Sequence, residues 1–207
     1  MRTTHPYLIR LGHWLSAISI FVLATSGLQI FQAFPSFASK LPEPMEIPVP
    51  EFLSLGSWLG GALSWHFTFA WFFAFGTALT IVDLARGGLK RIWLTGNEWF
   101  GIWPMARYYF LRGPKPIVND LYNPLQKIAY LSITAITLLA LISGTMLAQP
   151  VQLGFLIQGI GGWQNARLLH FGCMLAIAAF IPGHLVMVAL AGRPAMRAML
   201  TGRSENL

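Results

Sequence analysis

Four apolar runs, each about as long as a bilayer core is thick, limit what this 207-residue chain can fold into. They cover about residues 11–33, 58–82, 125–148 and 168–191. A helix needs roughly 20 consecutive apolar residues to cross the hydrocarbon core. Within lipid, only helices and closed barrels satisfy all their backbone hydrogen-bonding groups. The chain is therefore predicted to be an all-α membrane protein, a single four-helix transmembrane bundle over residues 1–207.

Composition excludes several other classes of protein. With 55% hydrophobic and 10% charged residues, the chain has no room for a large soluble domain. Its single cysteine, Cys173, excludes a disulfide framework, a cysteine metal cluster and the attachment motif of c-type haem. The first run is too long for the apolar core of a signal peptide, so it is expected to be an uncleaved helix.

Basic residues set the predicted orientation, since Lys and Arg near helix ends accumulate on the cytoplasmic side. Twelve of the fourteen fall on one side, namely Arg2, Arg10, Arg86, Lys90, Arg91, Arg107, Arg112, Lys115, Lys127, Arg193, Arg197 and Arg203. The other side keeps only Lys40 and Arg167, so both termini are predicted to be cytoplasmic and the loops near 34–57 and 149–167 external. The net charge of +7 then reflects topology and attraction to anionic membrane lipid, and it requires no nucleic acid.

Two segments between the spans have their own signatures. The proline-rich stretch 41–50 is predicted to be an extended external loop and a candidate docking surface. Between the second and third spans, Trp93, Trp99, Trp103, Tyr108 and Tyr109 alternate with polar and basic residues. This pattern predicts a helix lying at the membrane surface.

Four of the five histidines lie inside the spans, where an ionisable side chain is costly unless it is paired or liganded. His13 and His184 share the inner depth, and His66 and His170 share the outer depth, while His5 lies outside the spans. On the fourth span, 14 residues (184 − 170) correspond to about 21 Å of rise and roughly 1400° of rotation, so both histidines lie within roughly 40° of one face. The pattern predicts two metal sites, one above the other.

Bis-histidine haem b is the metal centre that fits two such pairs. Haem iron takes two axial ligands from opposite sides of a flat ring, and facing helices can supply them. A tetrahedral zinc site needs further donors, and the only carboxylate near either depth is Asp83. Two haem b groups are therefore predicted. His13 and His184 ligate the cytoplasmic-side haem, and His66 and His170 ligate the periplasmic-side haem.

Two arginines are candidates for contact with the haem propionates. Arg10 precedes His13 by three residues, and Arg167 precedes His170 by three. Each arginine is therefore predicted to lie about one turn nearer the membrane surface, on nearly the same face as its histidine. Guanidinium groups pair well with carboxylates, although an ordinary interfacial role remains open for both residues.

Two glycines near the outer pair are candidates for contact with the haem. Gly27 and Gly144 are predicted to lie at that depth on the first and third helices. A missing side chain lets a porphyrin face approach the backbone, but plain helix packing explains these glycines equally well. Each follows a serine, in Ser26-Gly27 and Ser143-Gly144.

Together these motifs resemble the bacterial dihaem cytochrome b561-like family. The residues that carry the resemblance are Arg10-Leu-Gly-His13-Trp14, His66, Tyr122-Asn-Pro-Leu-Gln-Lys127, His170 and His184. The family includes the membrane cytochrome b subunits of nickel-iron hydrogenases, formate dehydrogenase and thiosulfate reductase, and the resemblance covers nearly the whole chain. It implies a multi-pass protein of the bacterial inner membrane with the same two ligand pairs.

The resemblance also implies a site for ubiquinone or menaquinone beside the cytoplasmic haem. Asn123 and Gln126 match the family motif at the start of the third span and offer amide donors to a quinone carbonyl. Without the family, Asn123 followed by Pro124 is a helix-start signal, and that structural role stays open. Two residues before His184, Pro182 removes a helix hydrogen bond and predicts a kink that disturbs the inner pair.

These inferences predict an electron-transfer subunit. The outer haem is expected to exchange electrons with an extrinsic periplasmic-side redox subunit, by family analogy a molybdopterin enzyme, and the inner haem with the quinone pool. The spans contain no acid–base pair or nucleophile arranged for chemistry on a soluble substrate. Two alternatives stay open. One is a stand-alone cytochrome b561 that passes electrons between superoxide and quinone, and the other is a haem-free anchor or transporter whose histidines line a proton or metal path.

Overall fold

The computed structural model describes residues 2–3, 5–33, 50–118, 120 and 122–204. Over these residues the α-helices are α1 (Tyr7–Ala33), α2 (Leu59–Asp83), α3 (Leu89–Ile92), α4 (Ile102–Leu111), α5 (Pro124–Ala148), α6 (Gly154–Gly159) and α7 (Trp163–Thr201). Two short antiparallel strands, β1 (Arg2–Thr3) and β2 (Arg203–Ser204), join the chain ends. The predicted proline-rich loop at 41–50 lies outside the described residues, apart from Pro50.

Four helices, α1, α2, α5 and α7, are long and apolar enough to cross a membrane, which confirms the predicted all-α membrane fold. Phe21, Trp71 and Leu190 expose 68%, 79% and 72% of their surface. Apolar surface on this scale is stable against lipid and unstable against water. Helices α1 and α7 extend beyond their apolar runs, α7 at both ends, because a helix continues into the headgroup region where tryptophan and arginine are favourable.

The bundle is built from two helix pairs. Helix α1 packs mainly on α2, and α5 packs mainly on α7, while contacts between the two pairs are sparse. A Cβ added at Gly12 would lie 2.7 Å from the carbonyl oxygen of Gly76, so only glycine permits the approach of α1 to α2 there. Small residues allow such close contact between membrane helices. The chain is therefore dense within each pair and open between the pairs.

Helix α7 departs from helical geometry at Gly192 rather than at Pro182. Helical dihedral angles continue through Pro182, whereas Gly192 has φ +74°. Pro182 therefore does not break the helix, because neighbouring membrane helices and local adjustment tolerate one missing N–H. The predicted kink at Pro182 stays a prediction. Gly192 adopts positive φ without the steric cost that a Cβ would bring. The bend redirects the basic end of α7 toward the start of α1.

A buried lysine joins the α2–α5 connection to the start of α5. The side chain of Lys127 is 2% exposed, and its ammonium donates to Glu98 at 2.5 Å and to Asp120 at 2.7 Å. Glu98 lies in a 3₁₀ turn, Gly96–Gly101, and also accepts from the backbone N–H of Thr95 at 2.7 Å. A buried ammonium requires such partners. This cluster anchors the segment that carries α4 against α5.

Replacing Glu98 with glutamine should make the stability of this region less dependent on pH. Contact with Lys127, followed by the bonds from Thr95, lowers the pKa of Glu98 from 4.5 to about 2. A carboxyl whose folded-state pKa is depressed stabilises the fold above its unfolded pKa and loses that contribution as pH falls through the folded pKa. We expect Glu98→Gln to lower the Tm in detergent at pH 7, with the difference from wild type shrinking between about pH 4.5 and pH 2. A difference of equal size at pH 7 and pH 2, or the same effect from the exposed Glu51→Gln, would contradict this origin.

Candidate metal centre

Two pairs of imidazoles meet in the open space between the helix pairs. The ring centroids of His13 on α1 and His184 on α7 are 6.0 Å apart. Those of His66 on α2 and His170 on α7 are 6.2 Å apart. Each pair joins α7 to the α1–α2 pair, where other contacts are sparse. The chain therefore brings together the same two pairs that depth in the membrane predicts.

The spacing of the rings fits two imidazoles on opposite sides of one metal ion. Imidazole nitrogens bind metals at roughly 2.0 Å, which puts the centroids of two such rings about 6 Å apart. Over the ranges that the structure describes, no group of three or more His, Cys, Asp or Glu residues is placed to hold a metal ion. Two axial imidazoles without further protein donors fit haem iron, since the porphyrin supplies the remaining ligands.

The glycines near the outer pair lie against the imidazole rings. A Cβ at Gly27 would be 3.4 Å from Cε1 of His66, and one at Gly144 would be 2.9 Å from Cε1 of His170. Contacts of 2.9 Å are shorter than real Cβ atoms make. Gly144 therefore leaves room for the His170 ring, whereas a Cβ at Gly27 would make an ordinary van der Waals contact with His66. The predicted contact with a porphyrin stays a prediction.

Two serines contact the outer histidines, a role that sequence reasoning missed. The Ser26 hydroxyl lies 3.1 Å from Nδ1 of His66, and the Ser143 hydroxyl lies 3.1 Å from Nδ1 of His170. Both serines are fully buried. The available signal was the Ser-Gly dipeptide, which occurs near the outer end of both the first and the third spans.

Arg10 binds the C-terminal end of α7. Its Nη2 donates to the carbonyl of Leu200 at 2.6 Å and its Nε donates to the carbonyl of Met199 at 3.3 Å. Trp14 donates to the same Met199 carbonyl at 3.4 Å. A cation at a helix C-terminus satisfies free carbonyls and the helix dipole. Arg10 and Trp14 therefore tie α1 to α7 on either side of His13, and the predicted propionate contact of Arg10 stays a prediction.

Arg167 lies on the first turns of α7, one turn before His170. Its Nη1 donates to Oε1 of Gln164 at 3.1 Å. This bond holds the guanidinium against the first turn of α7, on the side where the predicted topology leaves few basic residues. Its pairing with a propionate stays a prediction.

The inner pair has a different environment from the outer pair. Over the described residues, the buried Nδ1 of His13 has no hydrogen-bond partner. Its ring meets Trp14 edge to face, with centroids 5.1 Å apart, and the His184 ring stacks on Phe180 at 5.6 Å. Buried polar atoms in folded proteins are normally satisfied by protein, water or a ligand. The orphaned nitrogen is consistent with a site built to hold another group.

Asn123 and Gln126 form the N-terminal cap of α5. The Asn123 side chain accepts from the backbone N–H of Gln126 at 2.9 Å, and the Gln126 side chain accepts from the backbone N–H of Asn123 at 3.0 Å. Pro124 occupies the first helical position. The structure therefore confirms that this motif starts a helix.

The same two amides also line a cavity of about 140 Å³ between α4 and α5. Its walls are Met105, Tyr108, Tyr109, Lys115, Pro116, Val118, Asn123 and Gln126. Within it, Nδ2 of Asn123 donates to the hydroxyl of Tyr109 at 3.4 Å. The cavity thus combines aromatic walls with amide and phenol groups, which is the usual lining of a small-molecule site.

Comparison with known proteins places the whole chain in one group. A family model described as prokaryotic cytochrome b561 matches residues 4–202. A relative from Azospira oryzae is 32% identical over 216 aligned positions, which cover 96% of this chain and 96% of the relative. That relative bears the provisional name protein-methionine-sulfoxide reductase subunit YedZ1.

Proposed function

Because this chain belongs to the prokaryotic cytochrome b561 family, we propose that it carries electrons between a quinone and an oxidoreductase on the periplasmic side of the membrane. It is a multi-pass bacterial membrane protein, and membership of the family implies that it binds b-type haem. We also propose that it binds two haems and a quinone, and that it lies in the inner membrane with both termini on the cytoplasmic side. The main support for two haems is the presence of two histidine pairs, one of His13 with His184 and one of His66 with His170.

Each histidine pair would hold one haem. His13 and His184 would supply the axial ligands on the cytoplasmic side, and His66 and His170 those on the periplasmic side. Bound haem iron supplies one-electron chemistry by alternating between its ferrous and ferric states. Helix α7 contributes one histidine to each pair, 14 residues (184 − 170) or about 21 Å of helix apart, so a single rigid element sets the distance between the two sites.

The partner is proposed to be an extrinsic molybdopterin enzyme. The relative from Azospira oryzae is named as a reductase subunit, and this name supports a partner that does the chemistry on the final substrate. With a reductase as partner, electrons would run from quinol through this chain to the partner. The membrane helices contribute ligands and packing, and the substrate site would lie in the partner.

Purification from native membranes tests this function. We expect a reduced-minus-oxidised spectrum of b-type haem, two haems per chain, and an extrinsic redox subunit that co-purifies. A coloured single chain that reacts with superoxide and quinone, without any other subunit, would favour the stand-alone cytochrome instead. A colourless preparation would contradict the proposal and favour the haem-free anchor or transporter.

The quinone is proposed to bind in the cavity between α4 and α5. Support comes from its lining, which includes the phenols of Tyr108 and Tyr109 and the residues Asn123 and Gln126. The phenol and amide groups would hydrogen-bond the quinone carbonyls, and the apolar walls would hold its ring. In the proposed topology, this cavity lies on the cytoplasmic side, at the level of the inner histidine pair.

Replacing Asn123 with aspartate separates quinone binding from helix capping. Aspartate caps a helix as well as asparagine does, so Asn123→Asp keeps the oxygen that accepts from Gln126 and removes the Nδ2 donor. We expect an unchanged Tm and haem content, and a roughly 3- to 10-fold slower reduction of the haem by a soluble quinol, because one hydrogen bond is worth about 0.5–1.5 kcal/mol. Stopped-flow absorbance measures the rate. If Asn123→Ala lowers the Tm while Asn123→Asp leaves the quinol rate unchanged, Asn123 serves only as a cap.

A further inference from the structure

The two histidines of the outer pair are held by the same local arrangement on different helices. In the first copy, Ser26 and Gly27 on α1 face His66 on α2. In the second, Ser143 and Gly144 on α5 face His170 on α7. The hydroxyl-to-Nδ1 distance is 3.1 Å in both copies. The two helix pairs therefore contain the same arrangement, a serine and a glycine that face a histidine, at the same depth.

Each serine hydroxyl makes its shortest hydrogen bond within its own helix. Ser26 donates to the carbonyl of Val22 at 2.6 Å, and Ser143 donates to the carbonyl of Leu139 at 2.7 Å. A hydroxyl has one proton and two lone pairs. A serine that gives its proton to this shorter bond accepts from the imidazole, which places the ring proton on Nδ1.

A backbone carbonyl strengthens the same assignment in each copy. Nδ1 of His170 lies 3.1 Å from the carbonyl oxygen of Ala140, and the His66 ring makes a backbone hydrogen bond with Leu23. These carbonyls stand three residues before Ser143 and Ser26. A carbonyl oxygen cannot donate, so the contact with Ala140 requires a protonated Nδ1 on His170. In the neutral ring, the free lone pair is then on Nε2.

The glycine after each serine lies against the imidazole ring. A Cβ at Gly144 would lie 2.9 Å from Cε1 of His170 and 3.7 Å from its Nε2. At Gly27 the corresponding atom would lie 3.4 Å from Cε1 of His66. The serine thus favours one tautomer in each copy, and Gly144 permits the His170 ring to lie close to α5.

We propose that Ser26-Gly27 and Ser143-Gly144 are two copies of a positioning element that presents His66 and His170 as Nε2 ligands and lowers the reduction potential of the outer haem. This inference rests on the proposed haem site. A hydrogen bond from the second ring nitrogen fixes a ligating histidine and makes it a stronger electron donor to the metal, which favours ferric over ferrous iron. The inner pair lacks this device at His13, whose buried Nδ1 has no partner over the described residues.

Redox titration of serine variants tests the inference. Ser26→Ala and Ser143→Ala should each raise one of two midpoint potentials by up to about 59 mV, which is a tenfold change in the equilibrium of a one-electron couple. The other potential should stay unchanged, and the double variant should shift the same haem further. The matched control is Ser19→Ala, since Ser19 is a buried serine of α1 whose hydroxyl has no partner over the described residues. Electron paramagnetic resonance of the oxidised protein should change for one haem in the two serine variants and for neither in the control.

Each outcome decides the inference. If Ser26→Ala or Ser143→Ala loses one haem while Ser19→Ala keeps both haems, that result supports a positioning role, as a shifted potential does. Unchanged potentials and resonance spectra in a double variant that keeps two haems overturn the inference and leave the proposed function intact. A wild-type protein without haem overturns both.

Discussion

Removing both histidines of one pair should leave one haem per chain, whereas removing one histidine from each pair should leave none bound in the bis-histidine state. His13→Ala with His184→Ala takes both imidazoles from the inner pair and keeps the outer pair, whose rings are 6.2 Å apart, intact. His13→Ala with His66→Ala takes one from each. An axial site with a single imidazole does not give low-spin bis-histidine iron.

The measurements are haem per chain from the pyridine haemochrome and the low-spin ferric signal in electron paramagnetic resonance. His5→Gln is the control, because His5 precedes α1 and belongs to neither pair. Wild type and control should give two low-spin haems. Equal loss from the same-pair and cross-pair double variants, in samples that remain folded by circular dichroism, would contradict the assignment of ligands.

Alanine at Gly12 or Gly76 should destabilise the protein by about 1–3 kcal/mol, the usual cost of overpacking. A Cβ at Gly12 would lie 2.7 Å from the carbonyl oxygen of Gly76, and a Cβ at Gly76 would lie 3.0 Å from the carbonyl oxygen of Gly12. Because the opposing atoms belong to the backbone, they cannot move aside as a flexible side chain does. The α1–α2 pair must separate instead, which displaces the adjacent His13.

Thermal unfolding in detergent, together with haem content, measures this effect. Gly183→Ala is the matched control, since Gly183 precedes His184 as Gly12 precedes His13, and no atom lies within 4 Å of a Cβ built there. Alanine has a higher helix propensity than glycine, so the control should be neutral or slightly stabilising. A Tm loss in Gly183→Ala equal to that in Gly12→Ala would show that the close approach of α1 and α2 is not the cause.

Contacts within each helix pair and contacts between the two helix pairs have different roles. Contacts within the α1–α2 and α5–α7 pairs supply packing, and the serine and glycine that face each outer histidine come from the other helix of the same pair. The histidine-to-histidine contacts instead cross from one pair to the other. A group bound between the histidines would therefore add to the few contacts between the two halves, and we infer that haem binding contributes to assembly of the bundle.

The depth of the histidines was readable in the sequence because the bilayer fixes it. A membrane helix rises 1.5 Å per residue, so position within a span gives depth, and residues at equal depth on neighbouring helices meet. This reasoning paired His13 with His184 and His66 with His170, and the structure places the same pairs in contact. It did not predict the departure from helical geometry at Gly192, where φ is +74°.

Contacts that depend on the rotation of one helix against another were not readable. Ser26 and His66 are 40 residues apart, and nothing in the sequence states which face of α1 turns toward α2. The guanidinium of Arg10 binds the carbonyl of Leu200, 190 residues away, a contact that its spacing to His13 did not predict. That contact exists because the chain bends at Gly192 and returns to the start of α1.

The sequence by itself determined the class of the protein, its four long helices and which histidines lie at the same level, because lipid allows few backbone structures and sets a fixed length for each crossing. Only the tertiary structure decided how those histidines are held. The packing of α1 on α2 and of α5 on α7 brings a serine oxygen to Nδ1 and a glycine to the ring. Such contacts are set by the close packing of small residues across two helices, and one helix alone does not encode them.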